Sequence, residues 1–103
     1  LTNAVFMPYV LKRNRSAIEK KISDLSRYLD LKEYTFDGFM KWILELREEL
    51  KIPHSLKDLI NDNTKIIEMS KMALNDPSTG GNPIKFSQKD FIELYQDSFE
   101  GKL

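Results

Sequence analysis

The sequence contains no cysteine and only one histidine, His54, and these two shortages exclude several kinds of site. Without cysteine the chain cannot form a disulfide, a thiolate zinc site or a cysteine nucleophile. A catalytic zinc usually takes three protein ligands and a structural zinc takes four, mostly His and Cys, and one histidine cannot supply either set. We therefore interpret His54 as a loop or capping residue. No segment resembles the turn that carries a hydrolase nucleophile, and a Ser-His-Asp triad is not indicated.

The chain also has no net charge and no long apolar segment. Lys plus Arg and Asp plus Glu each number 16, which leaves no overall field to attract nucleic acid or an acidic membrane. No apolar run approaches the ~20 residues of a membrane-spanning helix. In the apolar start, "LTNAVFMPYVLKRNR", the basic residues follow the apolar run, whereas in a signal peptide they precede it. Because a protein without cysteine is also compatible with a reducing compartment, we expect a cytoplasmic protein.

Amphipathic helical patterns fill most of the 103 residues, and the sequence shows no strand pair and no internal repeat. A hydrophobic content of 41% with 31% charged residues supports one packed core. The predicted fold class is all-α, with five or six short helices. The segments are residues 2–12, "SAIEKKISDLSRYLDL", "TFDGFMKWILELREEL", "SLKDLI", "NTKIIEMSKMALND" and "SQKDFIELYQDSF".

Three helix starts carry capping signals. Thr35 is the predicted N-cap of the third helix. Ser16 with Glu19, and Ser87 with Asp90, have the spacing of a capping box, in which each side chain accepts a hydrogen bond from the other residue's backbone N–H. These signals predict where the second, third and last helices begin.

Two features predict further protein upstream of Leu1. The first residue is not methionine, and the first helical turn is apolar, which is typical of a segment that begins inside a larger structure. In the third helix, Trp42 and Leu46 widen the apolar face, and we expect that helix to be covered on more than one side.

The loop "STGGNP", residues 78–83, interrupts the helical pattern. Two successive glycines permit close approach of another chain or a ligand, and Pro83 restrains Asn82 to an extended backbone. The spacing of glycine and lysine does not match a P-loop. From the residues alone, two interpretations stay open: a tight connector and a ligand-facing loop.

Three ordered stretches resemble the C-terminal end of the iron-containing (group III) alcohol dehydrogenases. The opening "LTNAVFMPYVLKRN" is similar to the helix that follows the last metal-binding His-Gly of that family, with matching Asn3, Ala4, Pro8 and Asn14 and an aliphatic residue at Val10. "ELREELKIPHSLKDL" is similar to its segment of helix, Ile-Pro and Ser-Leu. The close, "DPSTGGNPIKFSQKDFIELYQDSF", resembles the ending in which a small-residue loop leads to Asn-Pro and a capped final helix. Arg13 departs from the aromatic or aliphatic residue frequent before Asn14.

The resemblance implies that residues 1–103 are the C-terminal part of the α-helical metal and substrate domain. It implies an upstream dinucleotide-binding domain, an upstream metal site of one aspartate and three histidines, and hydride transfer between an alcohol and NAD or NADP with a divalent metal, iron or zinc. None of the metal, cofactor or catalytic residues is expected here, and His54 matches no ligand position. Thr79, Gly80, Gly81 and Asn82 are implied to line the substrate cleft. The partners implied are the missing N-terminal part, a small alcohol or aldehyde and further copies of the chain.

A stand-alone helical interaction module, including a helix-turn-helix nucleic-acid binder, is the alternative interpretation. A basic cluster near the second helix favours it: Lys12, Arg13, Arg15, Lys20 and Lys21. The neutral net charge and the lack of a clear recognition helix count against it, and a solvated helix end explains the cluster, with a phosphate-binding patch as a minor alternative. Substrates such as maleylacetate or glycerol remain alternatives within the enzyme class.

Overall fold

The computed structural model describes residues 2–58, 66–76 and 81–103. These residues form five α-helices and one short 3₁₀-helix, and they contain no strand, which confirms the all-α prediction. The helices are α1 (Thr2–Arg13), α2 (Arg15–Tyr28), α3 (Phe36–Glu49), the 3₁₀-helix (Leu56–Asp58), α4 (Ile66–Asn75) and α5 (Gln88–Glu100).

Two of the predicted helix starts are confirmed. The Thr35 side chain accepts a hydrogen bond from the Gly38 backbone N–H at 2.9 Å. Ser87 and Asp90 form the full capping box at the start of α5. Because the Asp90 carboxylate accepts hydrogen bonds from the Ser87 backbone and side chain, its pKa is lowered below the ordinary value. Local sequence therefore determines where α3 and α5 begin.

The capping box predicted at Ser16 and Glu19 is wrong. Helix α2 begins one residue before Ser16, and its N-cap is Asn14, whose side chain makes no capping hydrogen bond. A single residue separates α1 from α2, which places Ser16 inside the second helix. Glu19 instead pairs with Arg15 at 3.2 Å, one helical turn away.

The core lies where α1 and α5 meet, around a buried cluster of Tyr9, Phe86, Phe91 and Leu94. Helix α5 also packs against α4. The Phe86 and Phe91 rings meet edge to face at 5.5 Å between centroids, a favourable aromatic geometry. Partly buried apolar side chains surround this cluster: Phe6, Val10, Ala73, Ile84, Tyr95 and Leu103.

Helix α2 packs against α3, and of its apolar stripe, Ile18, Ile22, Leu25 and Leu29, the first two residues are partly buried. Ser26 is fully buried and donates its hydroxyl hydrogen bond to the Thr35 or Ile22 carbonyl, at 3.0 and 2.9 Å. In contrast, Leu25 and Leu29 of the stripe are 38% and 42% exposed. Burial on α2 is therefore deepest at Ser26, while the last two residues of the apolar stripe are exposed.

The predicted second covered side of α3 stays a prediction. In the part of the chain that the structure describes, Trp42 is 37% exposed and Leu46 is 39% exposed. The adjoining side of the helix is buried, at Phe36, Phe39, Met40 and Ile43, and the Phe39 and Trp42 rings lie 5.8 Å apart between centroids. Trp42 and Leu46 therefore supply apolar surface that these residues leave open.

Helix α3 ends in a Schellman motif with an unusual residue at its left-handed position. The Ile52 N–H donates to the Arg47 carbonyl at 2.9 Å, and the Lys51 N–H donates to the Glu48 carbonyl at 3.1 Å. Lys51 has φ +57°, a conformation that is unfavourable for any residue with a Cβ. The motif holds a lysine where glycine is preferred.

Replacing Lys51 with glycine should raise the free energy of unfolding by about 1 kcal/mol, because glycine adopts positive φ without the Cβ clash. Urea denaturation of the two chains measures the difference. The matched control is Lys21→Gly on the exposed side of α2, which should lower stability by about 1 kcal/mol because its backbone is helical. A destabilising effect at both positions would contradict the assignment of strain to Lys51.

Candidate functional site

A reciprocal pair of amide side chains fixes the loop before α5 to the junction of α1 and α2. The Asn14 Nδ2 donates to the Asn82 Oδ1 at 2.9 Å, and the Asn82 Nδ2 donates to the Asn14 Oδ1 at 2.8 Å. Asn14 is 3% exposed, and its Nδ2 also donates to the Val10 carbonyl at 3.1 Å. The Asn82 Nδ2 reaches the Ile84 carbonyl as well. These bonds hold the backbone around Asn82 in one position.

Gly81 lies beside this pair and faces open space. Among the described residues, no atom lies within 4 Å of the position that a Cβ on Gly81 would take, and Gly81 is exposed. A cleft of about 370 Å³, here called the Gly81 cleft, opens at this loop. Its walls are mostly apolar side chains, together with the loop backbone: Val10, Gly81, Asn82, Pro83, Phe86, Phe91 and Leu94. Such walls suit a small, largely apolar ligand.

The chemistry available in the Gly81 cleft is limited to shape and hydrogen bonding. None of the residues that line it titrates near neutral pH. Both N–H groups of the Asn82 amide are taken by the Asn14 Oδ1 and the Ile84 carbonyl. The lining residues can position a ligand and exclude water from it, and they offer no group that would take or give a proton.

Two of the four residues predicted to line a substrate cleft belong to the part of the chain that the structure describes. Gly81 and Asn82 border the Gly81 cleft. Thr79 and Gly80 lie outside the described residues. The sequence reading missed the role of Asn14 as the partner of Asn82. The signal available was a polar residue between two amphipathic helices, where a buried amide needs hydrogen-bond partners.

His54 lies in the turn before the 3₁₀-helix, where it joins α1 to the end of α5. The Tyr9 hydroxyl donates to the His54 carbonyl at 2.6 Å, and the His54 Nε2 lies 3.0 Å from the Gly101 carbonyl oxygen. Burial raises the pKa of Tyr9, and the phenol remains a hydrogen-bond donor at neutral pH. These contacts give His54 a structural role in the turn.

The described residues do not fit a metal site. Within residues 2–58, 66–76 and 81–103, no group of three or more His, Asp or Glu side chains is arranged to hold a metal ion. Among the same residues, no helix is both long enough and apolar enough to span a membrane. The metal that the resemblance implies therefore has no ligand set in this part of the chain.

Comparison with known proteins identifies the family. Residues 1–99 match the family described as "Fe-containing alcohol dehydrogenase family, C-terminal". The chain belongs to the iron-containing alcohol dehydrogenase family. The resemblance drawn from the three sequence stretches is confirmed.

Relatives within the iron-containing alcohol dehydrogenase family match nearly the whole chain but only part of their own length. Lactaldehyde reductase of Escherichia coli K12 is 27% identical over 105 residues, covering 96% of this chain and 28% of the relative. An alcohol dehydrogenase of Thermococcus barophilus is 32% identical over 104 residues, covering 96% of this chain and 27% of the relative. The chain thus spans between a quarter and a third of these relatives.

A solved structure from the iron-containing alcohol dehydrogenase family has the same fold over this region. The iron-containing alcohol dehydrogenase of Thermococcus thioreducens superposes with a TM-score of 0.86 at 27% identity. The superposition covers 97% of this chain and 27% of that one. The helical arrangement described here is therefore shared with a member of the family.

Proposed function

We propose that this chain is the C-terminal part of the helical domain of a metal-dependent, NAD(P)-linked alcohol dehydrogenase. The family match over residues 1–99 supports this, as do relatives named for reducing or oxidising small alcohols and aldehydes. The matched relatives are three to four times longer than the aligned region, since it spans 27–28% of them. The dinucleotide-binding domain and the metal ligands then belong to protein upstream of Leu1.

The part of the reaction proposed for this chain is to form one wall of the substrate cleft. The observation that carries this role is the buried Asn14–Asn82 pair, which fixes the loop backbone beside an open glycine. Gly81 leaves room next to mostly apolar walls, which suits the carbon chain of a small alcohol or aldehyde. Thr79 and Gly80 precede Gly81 in the same loop and would extend this wall.

The chemistry of hydride transfer would take place outside this chain. A divalent metal, iron or zinc, bound to the upstream part would polarise the alcohol oxygen as a Lewis acid. Residues 81–84 would orient the substrate against that centre and keep water away from it. Without the upstream part, the 103 residues are expected to be inactive. We further propose that the assembled enzyme is a cytoplasmic homo-oligomer.

The test is a complete chain that carries Gly81→Val. With metal and NAD or NADP present, the unchanged enzyme should oxidise short primary alcohols. The valine side chain should lower kcat/KM for them by roughly 10-fold or more, because it fills space beside the substrate. The melting temperature should stay unchanged, because a Cβ at Gly81 meets no atom of the described residues.

Lys85→Val is the matched control, because Lys85 is exposed four residues further on and does not line the Gly81 cleft. It should leave kcat/KM unchanged. A complete chain that oxidises no alcohol and reduces no aldehyde with either cofactor would overturn the proposed function. Full activity of the Gly81→Val enzyme would overturn the proposed wall and leave the dehydrogenase assignment in place.

A further inference from the structure

Helix α4 exposes more apolar surface than is usual for a helix in contact with water. Ile66 and Ser70 are its buried residues, whereas Ile67, Met72 and Leu74 are 57%, 68% and 39% exposed. Among the described helices, α4 contacts α5 alone. A helix that is apolar on most of its circumference is typically enclosed within a larger protein. The described residues cover only one side of α4.

The exposed apolar residues of α4 lie on two sides of the helix. Ile67 and Leu74 are seven residues apart, close to two full turns, so their side chains share one side. Met72 falls roughly 140–160° away from them around the helix axis. The residues between these two sides are polar: Glu68, Lys71 and Asn75. A partner could therefore contact both apolar sides and leave this polar strip in water.

The upstream part of the enzyme is the partner that fits this surface. The matching family region is described as C-terminal and spans 27–28% of the relatives, so nearly three quarters of such a protein precedes it. In addition, α4 ends at Asn75 and leads into the loop that carries Gly81. The proposed function places the metal of the upstream part opposite the Gly81 cleft. That part therefore approaches this chain beside the end of α4.

We infer that the upstream part of the complete dehydrogenase encloses α4 in an apolar groove, with one wall against Ile67 and Leu74 and the other wall against Met72. This inference rests on the proposed function, which places most of the enzyme upstream of Leu1. Removing these side chains from water stabilises the contact. Because α4 leads into the loop that carries Gly81, the groove fixes that loop relative to the upstream part.

The crystal structure of the complete chain tests the contact directly. Apolar side chains from upstream of Leu1 in the same chain should lie within about 4.5 Å of Ile67, Leu74 and Met72. Water or a second copy of the chain on either side of α4 would overturn the inference. This structure can be determined whether or not the enzyme oxidises alcohols, and the failure of the proposed function would be seen separately in the activity assay.

Cysteine labelling of the complete chain tests the groove in solution. Ile67→Cys and Met72→Cys probe its two walls, and Asn75→Cys on the polar strip is the matched control. Mass spectrometry of the peptide that contains the new cysteine gives its rate of reaction with a maleimide. Each rate is divided by the rate for the same variant unfolded in urea, because thiol reactivity also depends on the surrounding charges.

Ile67→Cys and Met72→Cys should react at least about 10-fold more slowly than Asn75→Cys, because labelling then requires α4 to separate from the groove. Equal rates at the three positions would overturn the inference. Protection of only one of the two apolar sides would also overturn it, since a groove has two walls.

Discussion

Replacing Asn14 with alanine should lower the free energy of unfolding of the chain by about 2–3 kcal/mol. The variant removes three hydrogen bonds of the buried side chain, two with Asn82 and one with the Val10 carbonyl. Each such bond contributes about 1 kcal/mol, and the groups left behind lose a partner in a place with little water. Urea denaturation followed by far-UV circular dichroism measures the loss.

The matched control for Asn14 is Asn75→Ala, at the end of α4. Asn75 is exposed, and its side chain donates to the Lys71 carbonyl one turn away. Exposed substitutions of this kind usually change stability by less than about 0.5 kcal/mol. If Asn14→Ala and Asn75→Ala had equal effects, the Asn14–Asn82 pair would not be the anchor of the loop, and the case for a positioned Gly81 would weaken with it.

Replacing Phe91 with alanine should lower the free energy of unfolding by roughly 3–5 kcal/mol, the usual range for a buried aromatic ring. Phe91 is 8% exposed and belongs to the cluster that joins α1 to α5. The truncation leaves a cavity and removes the edge-to-face contact with Phe86. Chemical denaturation with a fixed m-value gives the difference.

Leu50→Ala is the control for an apolar truncation outside the core. Leu50 is 62% exposed at the end of α3, and its loss should change stability by well under 1 kcal/mol in this chain. A loss of less than about 1.5 kcal/mol from Phe91→Ala would be too small for a well-packed buried ring. It would show that the junction of α1 and α5 is loosely packed.

The helices and two of their starts follow from local sequence. Thr35 and the Ser87–Asp90 box bind backbone N–H groups within one turn of themselves, so residues close in sequence supply both partners of each bond. Ser16 and Glu19 have the same spacing and form no capping box. There, α1 continues to Arg13, and Asn14 is the only residue between the two helices. A local signal therefore fails where a neighbouring helix already occupies the position.

Unlike helix starts, the burial of a residue does not follow from local sequence, because it depends on which sides of the helices contact one another. The apolar stripe of α2 includes Leu25 and Leu29, yet both are more than a third exposed, while Ser26 is fully buried against α3. The charge of Arg47 suggests a surface position, yet the residue is 5% exposed. Periodicity gives the two sides of a helix, and only packing decides which side is covered.

By itself the sequence determined the all-α class, the family and the loop that carries the candidate site, since each depends on residue types at short spacings. Only the tertiary structure decided that Asn82 pairs with Asn14, 68 residues away, and that Arg47 lies buried against the carbonyls of Pro53 and His54. Hydrogen bonds of that kind depend on how segments far apart in sequence pack against one another, and residue types at short spacings do not specify that packing.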